Sequence, residues 1–385
     1  MIYLKFLALI KKIKKFIDIK KDYSILSHKK IIIFDKTGSE IFYNYFYSND
    51  LDILHVRDEV INIPCLIKSF LSFNFNFRGY INAYIQSVKP KIILTHIDNT
   101  IFFHRIKKDN PKVITLFIQN GLRNFIPLSL INENNKVDYM FVFNKTDGKR
   151  YLNYLDGKYI SIGSFKLNYI SKKLQIRKKK KTYIYSFISQ FRKEMLNNKI
   201  WKGIYETEKK ILPMLLRYTL ANNITLIIIG SEIGHIGQIK ELKFYEKILG
   251  TQNGWQLKLR SDMFNNYYLM YNSDLIVSID STLGQEGLII GKRSVFFSSR
   301  LKFINDKSRY CISGSRVLDP KGEFWTDETT HEEFKRIMNF SLRSSDSVWK
   351  GTVSKYQEYI LDYDPQNLKF INLMKKLNIP LKNGI

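Results

Sequence analysis

From Lys30 to Phe297 the chain repeats one pattern: short β-branched apolar runs, closed by Gly, Ser, Thr, Asn or Asp, with longer amphipathic stretches between them. Lys30-Ile31-Ile32-Ile33-Phe34-Asp35, ended by a Thr37-Gly38 turn, reads as a buried parallel strand followed by a helix from about Ser39. Strands are predicted next over Leu51 to Val56, Lys91 to Thr95, Lys112 to Ile118 and Tyr139 to Phe143, with a helical stretch around Ile67 to Gln86. After a charged run from Lys172 to Lys181 the alternation restarts. Strands are expected over Thr182 to Phe187, Ile224 to Ile229, Leu275 to Ile279 and Ser294 to Phe297, and helices over Lys199 to Asn222, Gln238 to Leu249 and onward from Thr282. The runs are apolar throughout rather than alternating, as strands covered on both faces require, so the fold class is α/β with mostly parallel sheets.

The punctuation sets the domains. Residues 1–22 read as a basic amphipathic helix, 23–171 as an N-terminal Rossmann-like domain, and 172–181 as a basic linker. Residues 182–345 read as a second Rossmann-like domain and 346–385 as a helical tail. Two such units joined by a linker imply domains facing each other across a cleft. In the first helix Ile2, Phe6, Leu9, Ile10, Ile13, Phe16 and Ile17 share one face, with lysines opposite. That suits a helix lying on an anionic membrane surface, and it suits equally a terminal helix packed on its own domain. No apolar run reaches the ~20 residues that span a bilayer, and no cleavage site follows a signal-like core.

Composition narrows the picture. The 385 residues are 44% hydrophobic and 14% aromatic, which excludes disorder of the whole chain and gives material for two domains. Lys and Arg number 62 against 35 Asp and Glu, a net charge of +27, so an anionic partner comes first: nucleic acid, a phosphorylated small molecule or a membrane surface. Part of that excess has a bland source in the abundance of Ile, Asn and Lys everywhere. Cys65 and Cys311 have no CxxC neighbour or nearby His pair, so neither a disulfide framework nor a zinc site is expected, and a reducing compartment fits.

In open parallel sheets ligands bind beyond the carboxyl ends of strands, so the residues there are the ones to weigh. After the strand ending at Asp280, Ser281 or Thr282 is placed to cap a helix whose N–H groups and positive dipole end suit a phosphate. Gly284 would allow close approach, and Glu286 could accept hydrogen bonds from ribose hydroxyls; an ordinary capped helix is the plain alternative. Ser186, Ser189, Gln190 and Arg192 follow the first strand of that domain, and Gly230, Ser231 and Glu232 the next. Their hydroxyls and N–H groups could cradle a diphosphate, with Lys258 or Arg260 neutralising the leaving group. On the facing domain Thr95-His96-Ile97-Asp98-Asn99 follows a strand, and His96 or Asp98 could take the proton from an acceptor hydroxyl. A helix cap with His96 packed beside it is the alternative there. Gln119, Asn120 and Arg123 are natural sugar or phosphate ligands, while Asp35 reads as the start of a turn.

The pattern Asp280-Ser281-Thr282-x-Gly284-x-Glu286-x-Leu288, followed by Gly291-Lys292 and the strand Ser294 to Phe297, resembles the donor-binding segment of GT-B glycosyltransferases that build bacterial surface polysaccharides. It is similar to a stretch of capsule-related Kdo transferases and, more loosely, to the sugar-nucleotide 2-epimerases, through the Asp-Ser-x-x-x-Gln-Glu run ending at Glu286. Thr95 to Asn99, Ile118 to Arg123 and the Phe324-Trp325-Thr326 turn extend the likeness to the surface-carbohydrate, or O-antigen, biosynthesis proteins over most of Lys30 to Lys350. The resemblance implies a GT-B-like fold and transfer of a sugar from a nucleotide-activated donor to a lipid-linked glycan, with no cofactor beyond the donor. It also implies a cytoplasmic protein, peripheral on the inner face of the membrane. The His-Pro dipeptide of many CMP-sugar transferases is missing, since His235 is followed by Ile236, which weighs against a CMP-linked donor.

Absent motifs narrow the rest. No GxxxxGK[ST], GxSxG, HExxH or strand-linked GxGxxG occurs, which leaves P-loop, hydrolase-elbow, zincin and nicotinamide chemistry unsupported. No Asp-x-Asp stands at a predicted strand end, so a divalent metal is not expected. An epimerase of sugar nucleotides is the second enzyme reading. A nucleic-acid-binding protein is the third, opposed by basic residues that are spread along the chain rather than gathered in a module.

Overall fold

The computed structural model describes residues 18–57, 59–122, 135–176, 183–251, 253–303 and 319–385. Its strands, in chain order, begin with β1 (Lys20–Asp22), β2 (Ile31–Phe34), β3 (Leu51–Leu54), β4 (Val60–Asn62), β5 (Ile92–Thr95), β6 (Ile114–Ile118), β7 (Lys136–Val142) and β8 (Asp156–Ser161). There follow β9 (Ile184–Ile188), β10 (Thr225–Ile229), β11 (Trp255–Lys258), β12 (Leu275–Ser278), β13 (Arg293–Phe297) and β14 (Trp325–Thr326). Two six-stranded sheets run in the orders β3-β2-β5-β6-β7-β8 and β11-β10-β9-β12-β13-β14, while β1 and β4 form a separate pair. Every ladder in both sheets is parallel.

The physics behind this order is visible in the runs themselves. β2, β5 and β12 are buried at every position, which only a sheet with helices on both faces can achieve. Edge strand β8 has only exposed and half-buried positions and β11 a single buried one, so neither stands out in the hydrophobic pattern. In the first sheet the connections leave in opposite directions on either side of β2 and β5; in the second they do so on either side of β9 and β12. Such reversal points open a crevice at the carboxyl ends of the strands.

Several expected boundaries move. Ser39–Asn44 is a 3-10 helix, and the stretch around Ile67 to Gln86 is two helices, Ile63–Leu71 and Phe77–Val88, separated by a tight loop. The basic linker expected over 172–181 begins inside a helix: Phe165–Ile176 carries Lys172 and Lys173 on its outer face. On its inner face Leu167, Ile170 and Leu174 pack against Ile188, Ile227 and Ile276 of the second domain. A charged run thus marks the solvated side of an interdomain helix, and residues 177–182 lie outside the described residues, as do residues 1–17 of the helix predicted over 1–22, whose last three positions are instead the strand β1.

The tail is divided between the domains. Trp349, on the helix Asp346–Ser354, is buried in the second core. The helix Leu368–Lys376 returns to the first, where Phe370 and Met374 are fully buried among Ile31, Ile33, Phe42 and Tyr45. Asn367 fixes the return: its side chain donates to the Tyr45 hydroxyl at 2.7 Å and to the Phe165 carbonyl at 2.8 Å, and accepts from Asn168 at 2.9 Å. No helix among the described residues is long and apolar enough to cross a membrane.

Candidate functional site

The two reversal points face each other. Between them lies a cavity of ≈ 180 Å³ lined from the second domain by Ser189, Arg192, Ser231, Arg260, Ser281, Thr282 and Glu286, and from the first by His96, Asn120, Ser164 and Lys166. It adjoins a larger space of ≈ 690 Å³ that shares His96, Asn120, Lys166, Arg192 and Arg260 and reaches Gly38 and Glu40. The larger space is of the size that holds a small-molecule ligand, ~300–1,000 Å³.

The floor of the second domain's half is the start of the helix Thr282–Ile289. Ser281 caps it, its hydroxyl accepting from Leu283 N–H at 3.3 Å, while its own N–H donates to Ser278 at 3.1 Å. The first turn therefore presents N–H groups and the positive dipole end to the cleft. Thr282 meets the other domain, accepting from Leu122 N–H at 3.3 Å. Glu286, buried one turn on, accepts from Tyr267 at 2.9 Å and from Ser164 across the cleft. Burial pushes its carboxyl pKa up, against those hydrogen bonds and the Lys166 ammonium, which hold it down.

Lys166, Arg192 and Arg260 supply positive charge above that helix end. Burial and the neighbouring Arg260 push the Lys166 ammonium down from its usual value, and burial with Arg192 does the same to Arg260. Among the described residues neither Lys166 nor Arg260 has a carboxylate within ion-pair distance. Half-buried cations that destabilise one another favour an anion between them. Asn266 adds a polar probe: its amide donates to the Gly230 carbonyl at 2.9 Å, and its buried Oδ1 has no partner among the described residues.

From the first domain His96 closes the site just beyond β5. It is 5% exposed, with Phe42 and Phe165 set edge-on or tilted against its ring. Beneath it runs the turn at Gly38, where φ is +73°; a Cβ there would stand 3.2 Å from His96 Nδ1. Glycine is needed at that position for both reasons.

Other expected ligands are engaged elsewhere. Asp98 is fully buried and is not among the residues that line the cavity: it accepts from the Tyr151 hydroxyl and, at 3.4 Å, from Asn120 N–H, which ties it to a residue of the cavity wall. Ser186 is in mid-strand, bonded to Ser273 at 2.6 Å. Gln119 touches the cavity, but its amide is spent on Asp147 at 2.8 Å, the Gly121 carbonyl at 3.1 Å and Phe143 N–H at 2.9 Å. Gln190 and Asp280 bind each other at 2.7 Å, and Asp280 is also paired with Arg300, so these three join the segments that follow β9, β12 and β13. Gly284 permits a close approach, but of the strands: a Cβ would lie 2.8 Å from Ser278 and 2.9 Å from Phe296. Arg123 lies outside the described residues.

Ser189 and Ser231 line the cavity while held by a buried carboxylate. Glu241 accepts from Ser231 N–H at 2.8 Å, Glu232 N–H at 3.1 Å and the Ser189 hydroxyl. Beside it burial pushes the Glu208 carboxyl up to about 8, and Glu208 accepts from Gln190 N–H at 3.2 Å. Of the two basic residues at the end of β11 and just beyond it, Arg260 reaches the cavity and Lys258 does not. Ser164, Lys166, Asn266 and Tyr267 were not foreseen. For Ser164 and Lys166 a signal existed: they follow Gly163 at the end of β8, and strand ends were the places to look.

Residues 116–378 match the model of a family described as "putative O-antigen biosynthesis protein". No curated protein matches the chain in sequence. Among solved structures the chain is similar to that of S. aureus MnaA with UDP, at 14% identity and a TM-score of 0.53, over 91% of this chain and 98% of that one. It is likewise similar to the wall teichoic acid polymerase TagF, at 10% identity and a TM-score of 0.52, over 91% and 89%. At these identities the likeness establishes a shared two-domain fold.

Proposed function

The chain belongs to that family of O-antigen biosynthesis proteins, and we propose that within it the protein is a glycosyltransferase, moving a sugar from a nucleotide-activated donor to a lipid-linked glycan. The observation that carries this reading is the convergence of Lys166, Arg192 and Arg260, without carboxylate partners for Lys166 and Arg260 among the described residues, on the start of the helix Thr282–Ile289 opposite His96. The UDP bound to MnaA agrees with a nucleotide-linked donor in this fold.

In this reading the donor diphosphate lies against the N–H groups after Ser281, with Arg260, Arg192 and Lys166 offsetting its charge. Glu286 and Asn266 Oδ1 accept hydrogen bonds from the nucleoside or the sugar. The acceptor hydroxyl comes from the larger space. Its oxygen bonds to the anomeric carbon, its proton passes to the His96 imidazole, and the bond from that carbon to the phosphate oxygen breaks. The nucleoside diphosphate leaves with the electron pair, its negative charge held by the cations. No step calls for a divalent metal, since three side chains carry the charge role. Interdomain contacts such as Ser164 with Glu286 exclude water, which competes with the acceptor for the donor. The lipid carrier places the enzyme on the cytoplasmic face of the membrane, where a net charge of +27 favours anionic lipid.

The test is turnover with and without acceptor. Incubated with nucleotide sugars, the protein is expected to release nucleoside diphosphate only when a lipid-linked glycan is added. Conversion of the donor alone would assign it instead to the sugar-nucleotide epimerases.

A further inference from the structure

The loop that splits the predicted helix at Ile67 to Gln86 carries an exposed aromatic tip. Phe73 is 84% exposed, Leu71 76%, Phe75 66% and Phe70 48%. Their rings adjoin: Phe70 and Phe75 are 5.5 Å apart, Phe73 and Phe75 6.3 Å, and next to them Phe77 meets Phe102 at 5.0 Å. Single exposed apolar residues are ordinary on a soluble surface, but a contiguous group of this size marks an interaction site.

The tip is rigid. Ser69 donates to the Asn74 carbonyl at 2.6 Å, Asn74 N–H returns to the Ser69 carbonyl at 3.1 Å, and Asn76 caps the next helix by accepting from Gly79 N–H at 2.9 Å. Phe73 itself sits at φ 54°, a left-handed conformation that Gly or Asn would adopt at lower cost. A large apolar side chain is retained where the backbone favours a small one, and it points into solvent.

Topology sets where the tip lies. The helix Phe77–Val88 runs against the strands, with Val88 accepting from Lys29 N–H beside the start of β2, so Phe77 and the tip stand at the end where the strands finish. The helix Ile101–Asp109, which bears Phe102, starts at that same end after β5. This is the side on which His96 opens to the cleft.

Charge selects the occupant. From Val60 to Ile97 the chain has no Asp or Glu; Lys68 stands one turn before Leu71 at the tip and Arg78 is paired with Asp109, whereas Lys89 and Lys91 lie at the far end of the helix Phe77–Val88. The strand β1 pairs with β4, which leads directly into the helix Ile63–Leu71, and the sequence that precedes β1 carries Lys5, Lys11, Lys12, Lys14 and Lys15. We propose that the Phe70–Phe75 tip inserts into a bilayer of anionic lipid and sets the cleft at the membrane surface, within reach of a lipid-borne acceptor. This deepens the membrane-bound transferase reading and rests on it for the acceptor, whereas binding to lipid can be measured without turnover.

The experiment is co-sedimentation of the full chain with vesicles of phosphatidylglycerol and phosphatidylethanolamine, for the wild type and for F73S/F75S. Both positions are exposed, and equal melting temperatures establish that the variant folds. The double variant is expected to partition about tenfold or more weakly, since two buried rings are lost. The wild-type advantage should persist at ~0.5 M NaCl, where electrostatic attraction is screened. Equal partitioning of the two proteins overturns the proposal. So does a wild-type dimer that the substitutions convert to a monomer with vesicle binding unchanged, which would make the tip a contact between copies. A nucleotide-induced rise in melting temperature is expected to be the same in both proteins; its absence from both counts against the transferase reading and leaves the lipid result to stand alone.

Discussion

Replacing His96 by Ala is expected to lower transfer by roughly 10²–10⁴-fold, the usual contribution of a positioned general base. His96 is the imidazole that lines both parts of the cleft from the first domain, and it stands across from the cations that would hold the departing diphosphate. Its setting is fixed by the rings of Phe42 and Phe165 and by the turn at Gly38, so an Ala at this position removes the base without opening the sheet. Nucleotide affinity should change little, because the donor's anionic part lies against the other domain. The measurement is the rate constant of a single turnover together with the nucleotide dissociation constant. An unaltered rate would remove His96 from the chemistry, and loss of both would point to damaged folding.

Arg300→Ala is expected to destabilise the protein by about 3–5 kcal/mol, because it strips the partner from a buried carboxylate. Asp280 and Arg300 have side chains only 7% and 10% exposed, and Asp280 also accepts from Gln190. The pair ties β12 to the segment after β13, directly under the helix that starts at Ser281. Denaturant unfolding reads the loss. The double variant D280N/R300M, which leaves no unpaired charge inside, should recover most of it. A single variant as stable as wild type would show that the pair is not the tie proposed here.

Much of the architecture was legible because burial on both faces writes itself into the strands. Ile31–Phe34, Ile92–Thr95 and Leu275–Ser278 have no polar residue before their final position, and runs of that kind have few other structural solutions. Edge strands escaped for the converse reason. Asp156–Ser161 packs only in part, so its polar residues hide its period. At the site, the rule that ligands lie beyond strand ends located the helix at Ser281, His96, Ser189 and Ser231 on the cavity wall. What it could not tell was which way each side chain turns. Asp98 is two residues beyond His96 but swings to Tyr151, and Gln119 is consumed by Asp147 and the backbone of Phe143, partners distant in sequence. Lys166 is the plainest case. Its helix belongs to the first domain and packs on the second, so its place above the donor helix depends on how the domains dock, a long-range property that no local pattern encodes.

The claim on which the rest depends is that an activated sugar sets its diphosphate against the start of the helix Thr282–Ile289 under Arg260. The direct measurement is a melting-temperature screen of the wild type and Arg260→Ala with UDP, CMP, GDP and dTDP, followed by titration of whichever nucleotide stabilises. One nucleotide is expected to raise the wild-type melting temperature, equivalent to about 2.7 kcal/mol at a hundredfold excess over its dissociation constant. Arg260→Ala should weaken that nucleotide by roughly ten- to a hundredfold, the worth of a hydrogen bond to a charged group. A wild type stabilised by none of the four, or an Arg260→Ala variant that binds as tightly as wild type, would contradict the account.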